Sequence, residues 1–294
     1  MRPHNAKRWL VTTITAAACL AGTAVSAAPT HAETTPPQAN NWNCRPSAAH
    51  PNPVVLVHGT TANSALNWWV LSPELADAGY CVFTFDYGMT PLSMGLVGGL
   101  GDIARSAETM RVFVDKVLAA TGASKVDVVG HSQGGMMPHY YIKRLGGAAK
   151  VDTLIGLAPS NHGTTARGLV ELADAARLTG WITDAYTLLG YPGGIQQTVG
   201  SDFQKALFAD GDTVPGVRYV VIQTRNDRVV TPYTNAFLQG GDVTNILIQD
   251  QCPSNPVGHV GLALDSPTQQ NILNQLGRGG PDFTPTCTDF GPSF

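Results

Sequence analysis

The chain has 294 residues, with 18 Lys plus Arg against 21 Asp plus Glu, and only 13% of its residues are charged, well below the roughly 25% usual for soluble domains. Hydrophobic residues at 43%, with 32 Gly and 20 Pro, supply a core and many turns, which excludes a disordered chain, a coiled coil and a disulfide mini-protein. A net charge of −3 argues against a nucleic-acid surface.

Residues 1–32 carry Arg2, Lys7 and Arg8 and no acid, then an uncharged stretch from Trp9 to Thr30 that closes on small-residue sites ending at Ala27 or Ala32. This is the form of a secretory signal peptide. Thr12, Thr13, Thr15, Gly22, Thr23, Ser26 and Pro29 weaken it as a membrane anchor. Cys19, after three alanines, is a minor alternative as a lipidation site. Removal of the peptide leaves residues 33–294, the size of one domain. By either route Cys44, Cys81, Cys252 and Cys287 remain as an even set in an oxidising compartment. Of the three possible pairings, Cys44 with Cys81 and Cys252 with Cys287 is expected, since each pair ties a terminal segment to a strand end nearby.

Residues 33–53, rich in Pro, Asn and Ala, read as an extended arm. Apolar runs then follow at Val54–Val57, Cys81–Phe85, Val126–Val129, Val151–Leu157, Val217–Thr224 and Asn245–Gln249, each with the look of a buried parallel strand. Between most of them lie helical patterns. In the clearest, Asp102–Ala119, residues Ile103, Ala107, Met110, Val114 and Val117 share one face. Ser266-Pro267 opens a last helix with an N-cap and a first-turn proline, and Gly277 stops it. Such alternation implies a mostly parallel sheet covered on both faces. Two intervals break the pattern: the uncharged, glycine-rich Gly88–Gly101, and a long insertion at 163–211 containing Leu169 and Leu188. Both are candidates for covering a site, with those leucines forming an apolar rim for a water-insoluble substrate. Residues 278–294 form a tail that Cys287 would pin down.

Gly130-His131-Ser132-Gln133-Gly134 stands between the strand pattern at Val126–Val129 and a helical pattern from Gly134 to Leu145. This is Gly-x-Ser-x-Gly in the strand–turn–helix setting that exposes a nucleophilic serine at the carboxyl edge of a sheet. A serine hydroxyl needs a base, and the base an orienting acid; in this architecture the chain order is serine, acid, histidine. Of eight histidines only His259, in a glycine-flanked loop, follows every candidate acid. Asp227, at the end of the run Val217–Thr224, is the preferred acid; Asp250 is the runner-up, because its loop would have to double back to reach His259. Backbone N–H groups of Gln133 and of Thr60, in the loop after the first strand, are the expected oxyanion donors. His58 and His162 read as structural.

The segments Pro53-Val-Val-Leu-Val-His-Gly-Thr-Thr, Gly130-His-Ser-Gln-Gly-Gly-Met-Met-Pro, Leu157-Ala-Pro-Ser-Asn-His-Gly-Thr and Gly258-His-Val-Gly-Leu resemble the secreted bacterial class 2 lipases of the α/β-hydrolase superfamily, over about residues 42–277. The resemblance implies an α/β-hydrolase fold with a helical cap near 163–211. It further implies a secreted ester hydrolase of the lipase or broad carboxylesterase type, with Ser132, Asp227 and His259 as triad and Thr60 and Gln133 as oxyanion donors. It implies no cofactor. The expected partner is a lipid or other ester substrate met at an oil–water interface; a monomer without nucleic acid or a permanent membrane anchor is expected. Polyester hydrolysis or acyl transfer would use the same machinery, and a non-catalytic binding protein would be expected to have lost the triad. The chain lacks a phosphate-binding loop, His-Glu-x-x-His and Cys-x-x-Cys, so no metal ligation is expected.

Overall fold

A computed structural model of the protein describes residues 35–177, 191–280 and 282–294; the signal-peptide reading and Leu188 lie outside these residues. The apolar runs become six strands, β1 (Val54–Val57), β2 (Val82–Phe85), β3 (Val126–His131), β4 (Val151–Leu157), β5 (Arg218–Gln223) and β6 (Val243–Leu247). They form one parallel sheet in the order β2-β1-β3-β4-β5-β6. The chain thus moves outward from β1 to β2 and then crosses to β3 on the other side. This reversal opens a crevice beyond the carboxyl ends of β1 and β3, where ligands bind in open α/β sheets.

Every residue of β1, β2 and β3 is buried, which is why these strands read as continuous apolar runs rather than as an alternation. Successive side chains still divide between the faces. Val55, Val57, Phe83, Phe85 and Val128 pack under α3 (Ile103–Thr121) and α4 (Gln133–Arg144). Val54, Leu56, Val82 and Val129 pack on the opposite face with Trp68, Leu71, Leu75 and Ile272, from α1 (Ser64–Trp68), α2 (Leu71–Asp77) and the last helix. Helix α3 begins where the Asp102 side chain accepts from Arg105 N at 2.9 Å and ends at Gly122 with φ 75°, a left-handed stop that glycine adopts without strain.

Strand ends shift by one or two residues from the expected runs, and two boundaries change an assignment. Strand β6 ends at Leu247, and Ile248–Gln251 turn into a short helix, α8. Ile248 is fully buried as a helical residue; an apolar run reports burial and does not by itself separate strand from helix. The last helix, α9 (Ser266–Leu276), is capped by Asp265 and not by Ser266, the carboxylate accepting from Thr268 N at 3.0 Å. Disulfides join Cys44 to Cys81 and Cys252 to Cys287.

The described part of the 163–211 interval contains α5 (Ala166–Arg177), α6 (Pro192–Gln196) and α7 (Asp202–Phe208). On α5, Leu169, Leu172 and Ala173 pack with Val97, Leu100 and Val229 in a small third apolar cluster. The two intervals that break the alternation therefore meet each other. Leu169 is 2% exposed, which corrects its reading as an exposed rim residue: it packs in an internal seam. Among the described residues no helix is long and apolar enough to cross a membrane.

Candidate active site

Ser132 stands between the end of β3 and the start of α4, with φ 56° and ψ −123°. A non-glycine residue held in this region is strained, and such strain persists only where the surroundings fix it. The surroundings are tight: a Cβ at Gly130 would lie 1.9 Å from Gly134 O, and one at Gly134 would lie 2.2 Å from Val57 O. Side chains at either position would force strand and helix apart, so the two glycines permit the turn. Ser132 N–H donates to Leu157 O at 2.8 Å, which locks the turn onto β4.

His259 lies in the loop after α8 and is 2% exposed. Its Nδ1 meets Asp227 Oδ2 at 2.9 Å, and Asp227 Oδ1 accepts from Val229 N and Val230 N, both at 2.8 Å. A carboxylate only accepts, so the ring proton is on Nδ1 and the Nε2 lone pair is left available. Nε2 is buried and has no hydrogen-bond partner among the described residues. Both Ser132 and His259 line a cavity of about 120 Å³, whose walls include Thr60, Leu66, Leu172 and Leu264. An imidazole nitrogen without a partner thus lines the same cavity as a strained serine.

The other candidate acid is elsewhere: Asp250, in α8, is exposed and pairs with Arg225 at 2.9 Å. Arg228, the second cation near Asp227 in sequence, pairs instead with Glu171 at 2.9 Å. Asp227 therefore faces His259 and not a surface cation.

Thr60 and Gln133 are also brought together. Thr60 Oγ1 accepts from Gln133 Nε2 at 3.1 Å and from Gln197 Nε2 at 3.0 Å, while Gln133 Nε2 also donates to Gly99 O. Gln133 is the first residue of α4, so its main-chain N–H has no acceptor within the helix. Gln197, just beyond α6, donates as well to Gly193 O and accepts from Ser160 Oγ. Nothing in the sequence singled out Gln197, because a lone glutamine in an insertion carries no periodic or motif signal.

Three further histidines have structural surroundings. His58 is buried between Gly59 O, which its Nδ1 meets at 2.8 Å, and the Tyr87 N–H, which donates to Nε2 at 3.3 Å. Burial holds its pKa below the ordinary value against the opposing pull of Asp86, and both ring nitrogens are used. His131 Nε2 meets the main-chain oxygen of His259 at 3.0 Å, and Nδ1 meets Asn67 Oδ1 at 3.2 Å. Burial, with His259 nearby, pushes His131 down to about 3. Asn67 Oδ1 also accepts from Gly59 N at 2.9 Å, so a buried chain of contacts joins the loop after β1 to the His259 loop. His162 pairs with Asp212 at 3.0 Å and lies away from the cavity lining. Among the described residues no group of three or more His, Cys, Asp or Glu could hold a metal ion.

Comparison with known proteins matches residues 51–253 to the family model described as Lipase (class 2). Over 98 residues, 32% of this chain, the sequence is 36% identical to a triacylglycerol lipase of Pseudarthrobacter phenanthrenivorans and equally to one of Burkholderia plantarii. The matched stretch spans 28% and 25% of those two relatives. Among solved structures, Aspergillus fumigatus lipase B superposes with a TM-score of 0.66 at 21% identity, over 85% of this chain and 57% of that one. A Bacillus licheniformis lipase in its mature form gives 0.57 at 18% identity, over 79% and 94%. At these identities the likeness to the solved structures is one of α/β-hydrolase fold.

Proposed function

The chain belongs to the class 2 lipase family, and on that basis we propose that it is a secreted serine hydrolase of carboxylic esters working through an acyl-enzyme on Ser132. His259 Nε2 takes the hydroxyl proton as Ser132 attacks the ester carbonyl. Asp227 keeps the ring in the required tautomer and stabilises the imidazolium that forms. The main-chain N–H groups of Thr60 and Gln133 receive the developing oxyanion, and the side-chain amides of Gln133 and Gln197 hold Thr60 in place. His259 then returns the proton to the leaving alcohol, and water releases the acid by the same route in reverse.

One observation carries the reading: the buried Nε2 of His259, without a partner, in the cavity that Ser132 also lines, while Nδ1 is committed to Asp227. A buried polar atom left unpaired costs free energy, and such atoms in native structures ask for a reason. A proton-accepting role supplies it. Labelling by a fluorophosphonate probe tests the proposal. Ser132 should be the modified residue and Ser132→Ala should abolish esterase turnover; full activity in that variant would refute the mechanism.

The substrate is an ester with an apolar acyl part, of the triacylglycerol or broad carboxylic-ester class. The relatives' names and the apolar mouth of the cavity support this: Leu66 and Leu264 line it and are 54% and 41% exposed. Helix α5, whose Leu172 lines the cavity, acts as part of its cap, and the enzyme works as a monomer. The charged, then uncharged, N-terminal stretch and the two disulfides support export. A chain-length series of nitrophenyl esters, measured below and above substrate solubility, separates lipase from esterase behaviour: a jump in rate above solubility marks the former.

A further inference from the structure

The loop that carries His259 belongs to no strand, and its main-chain donors are satisfied from outside it. Gly258 N–H donates to Pro292 O at 3.0 Å, and the N–H groups of Val260 and Gly261 donate to Phe294 O at 2.9 and 3.1 Å. The junction is bonded in the other direction too: Gly291 N–H donates to Asp265 Oδ1 at 3.0 Å, and that oxygen also accepts from Asn255 Nδ2 at 2.9 Å. Contact is close enough to exclude side chains, since a Cβ at Gly261 would lie 2.0 Å from Pro292 O and one at Gly291 would lie 2.3 Å from Gly261 O. Residues 258–261 and 291–294 therefore hold each other backbone to backbone, on both sides of His259.

Apolar burial does not anchor this segment. Of residues 286–294 only Gly291 is buried, and Phe294 is 56% exposed. Ser266 N–H donates to Asp289 O at 3.2 Å and Thr286 N–H to Gln270 Oε1 at 2.9 Å, and the covalent tie is the Cys252–Cys287 disulfide, seven residues before His259 along the chain, which raises the effective concentration of the segment at the loop. Cys252 is fully buried but Cys287 is exposed, so one sulfur of the pair can be reached from solvent. The Cys44–Cys81 disulfide instead joins the N-terminal arm to the residue before β2.

We infer that residues 287–294 are a strap that positions His259, with the Cys252–Cys287 disulfide as its reducible catch, so that turnover depends on the redox state of this one bond. The inference rests on His259 being the base of the reaction proposed above. A dithiol reductant opens the catch by two exchange steps beginning at the exposed Cys287 sulfur. Cys252 and Cys287 become thiols, and the reductant leaves as its own disulfide, having supplied two electrons and two protons. Without the catch the strap leaves, the Gly258, Val260 and Gly261 donors turn to water, and His259 loses its fixed distance to Ser132. A displacement of about 1 Å in a catalytic group can cost on the order of a hundredfold in rate.

The test compares Cys252→Ser/Cys287→Ser with Cys44→Ser/Cys81→Ser, each at a temperature well below its unfolding midpoint and with native near-ultraviolet dichroism. Turnover of a short soluble nitrophenyl ester, counted per site labelled by a fluorophosphonate, should fall at least about tenfold in the first variant with KM unchanged. Amide exchange at Gly258, Val260 and Gly261 should lose protection in that variant. The second should lose thermal stability but keep its turnover and its protection at those amides. Gly291→Val, with both disulfides intact, should reproduce the first variant. Equal losses of turnover in the two disulfide variants, or a Cys252→Ser/Cys287→Ser protein that keeps turnover within twofold, would overturn the strap. If the unaltered protein neither cleaves the ester nor labels at Ser132, it is the functional reading that fails. Amide exchange then still decides whether the strap holds the loop: lost protection in the first variant supports it and retained protection overturns it.

Discussion

Replacing Asp227 with Asn should remove catalysis while leaving the fold in place, and the main-chain N–H groups of Val229 and Val230 are the reason. Both donate to Asp227 Oδ1 at 2.8 Å, so an asparagine amide must turn its oxygen toward them. The reverse orientation would set an NH₂ against two N–H donors and give up two buried hydrogen bonds, about 1–3 kcal/mol each. With its oxygen so committed, the amide NH₂ faces His259 Nδ1, now 2.9 Å from Asp227 Oδ2. The ring must accept there and carry its proton on Nε2, where it can no longer take one from Ser132. Loss of the correct tautomer should lower kcat by about 10³–10⁴-fold, roughly 4–5.5 kcal/mol. Asp227→Ala should do the same to turnover but also strand two N–H groups, lowering stability by about 2–6 kcal/mol. Nitrophenyl ester kinetics and thermal midpoints on both variants supply the assay. An Asn variant within tenfold of the parent, or one as destabilised as the Ala variant, would refute the reasoning.

Gln197→Ala removes one of two amides that hold Thr60 Oγ1, and kcat should fall by about tenfold with KM little changed, less than the 10²–10³ typical for deleting an oxyanion donor; an unchanged kcat would show that Gln133 suffices. Leu66→Asp, at the exposed apolar mouth of the cavity, should weaken turnover of a triacylglycerol emulsion more than that of a soluble short ester, and equal losses on both would count against a lipid-facing mouth. Asp127, buried with one carboxylate oxygen lacking a partner, is pushed up to about 6 from 3.8 by burial. Its contribution to stability is fully present below pH 3.8 and lost as pH rises through 6, by at most about 3 kcal/mol. Asp127→Asn should accordingly raise the urea midpoint at pH 8 relative to the parent, with no gain at pH 4. His162 is raised above 6.5 by its hydrogen bond to Asp212. That contact stabilises below pH 6.5 and weakens as pH rises through the raised value, so His162→Gln should flatten the pH dependence of the urea midpoint across this window.

The candidate serine was legible because the device that exposes it is local. Strand, turn and helix around Ser132 occupy consecutive residues, and the glycine at 130 answers a clash with Gly134 O four residues on, while that at 134 makes room for β1. His259 was legible for a weaker reason, chain order, and Asp227 by the same rule with Asp250 as a rival. The rival is set aside by a helix: Asp250 falls in α8 rather than at a strand end, so its carboxylate is carried to the surface and to Arg225. The same apolar run that suggested a strand through Gln249 hid that turn. Leu169 failed in the opposite direction, since its apolar character marked burial against Val97 and Leu100 and not an exposed rim.

Periodicity and motif spacing determined by themselves the strand runs, the helices α3, α4 and α9 and the identity of the candidate serine, because each depends on backbone geometry within a few residues. Only the tertiary structure decided what holds these groups in position. Gln197 reaches Thr60 across 137 residues, His131 meets the His259 main chain across 128, and residues 291–294 bond to the loop around His259. Such partners are chosen by where the folded elements come to lie and use ordinary amides, imidazoles and main-chain groups, which any stretch of sequence contains. Their distance in sequence and their common chemistry leave no local pattern to read.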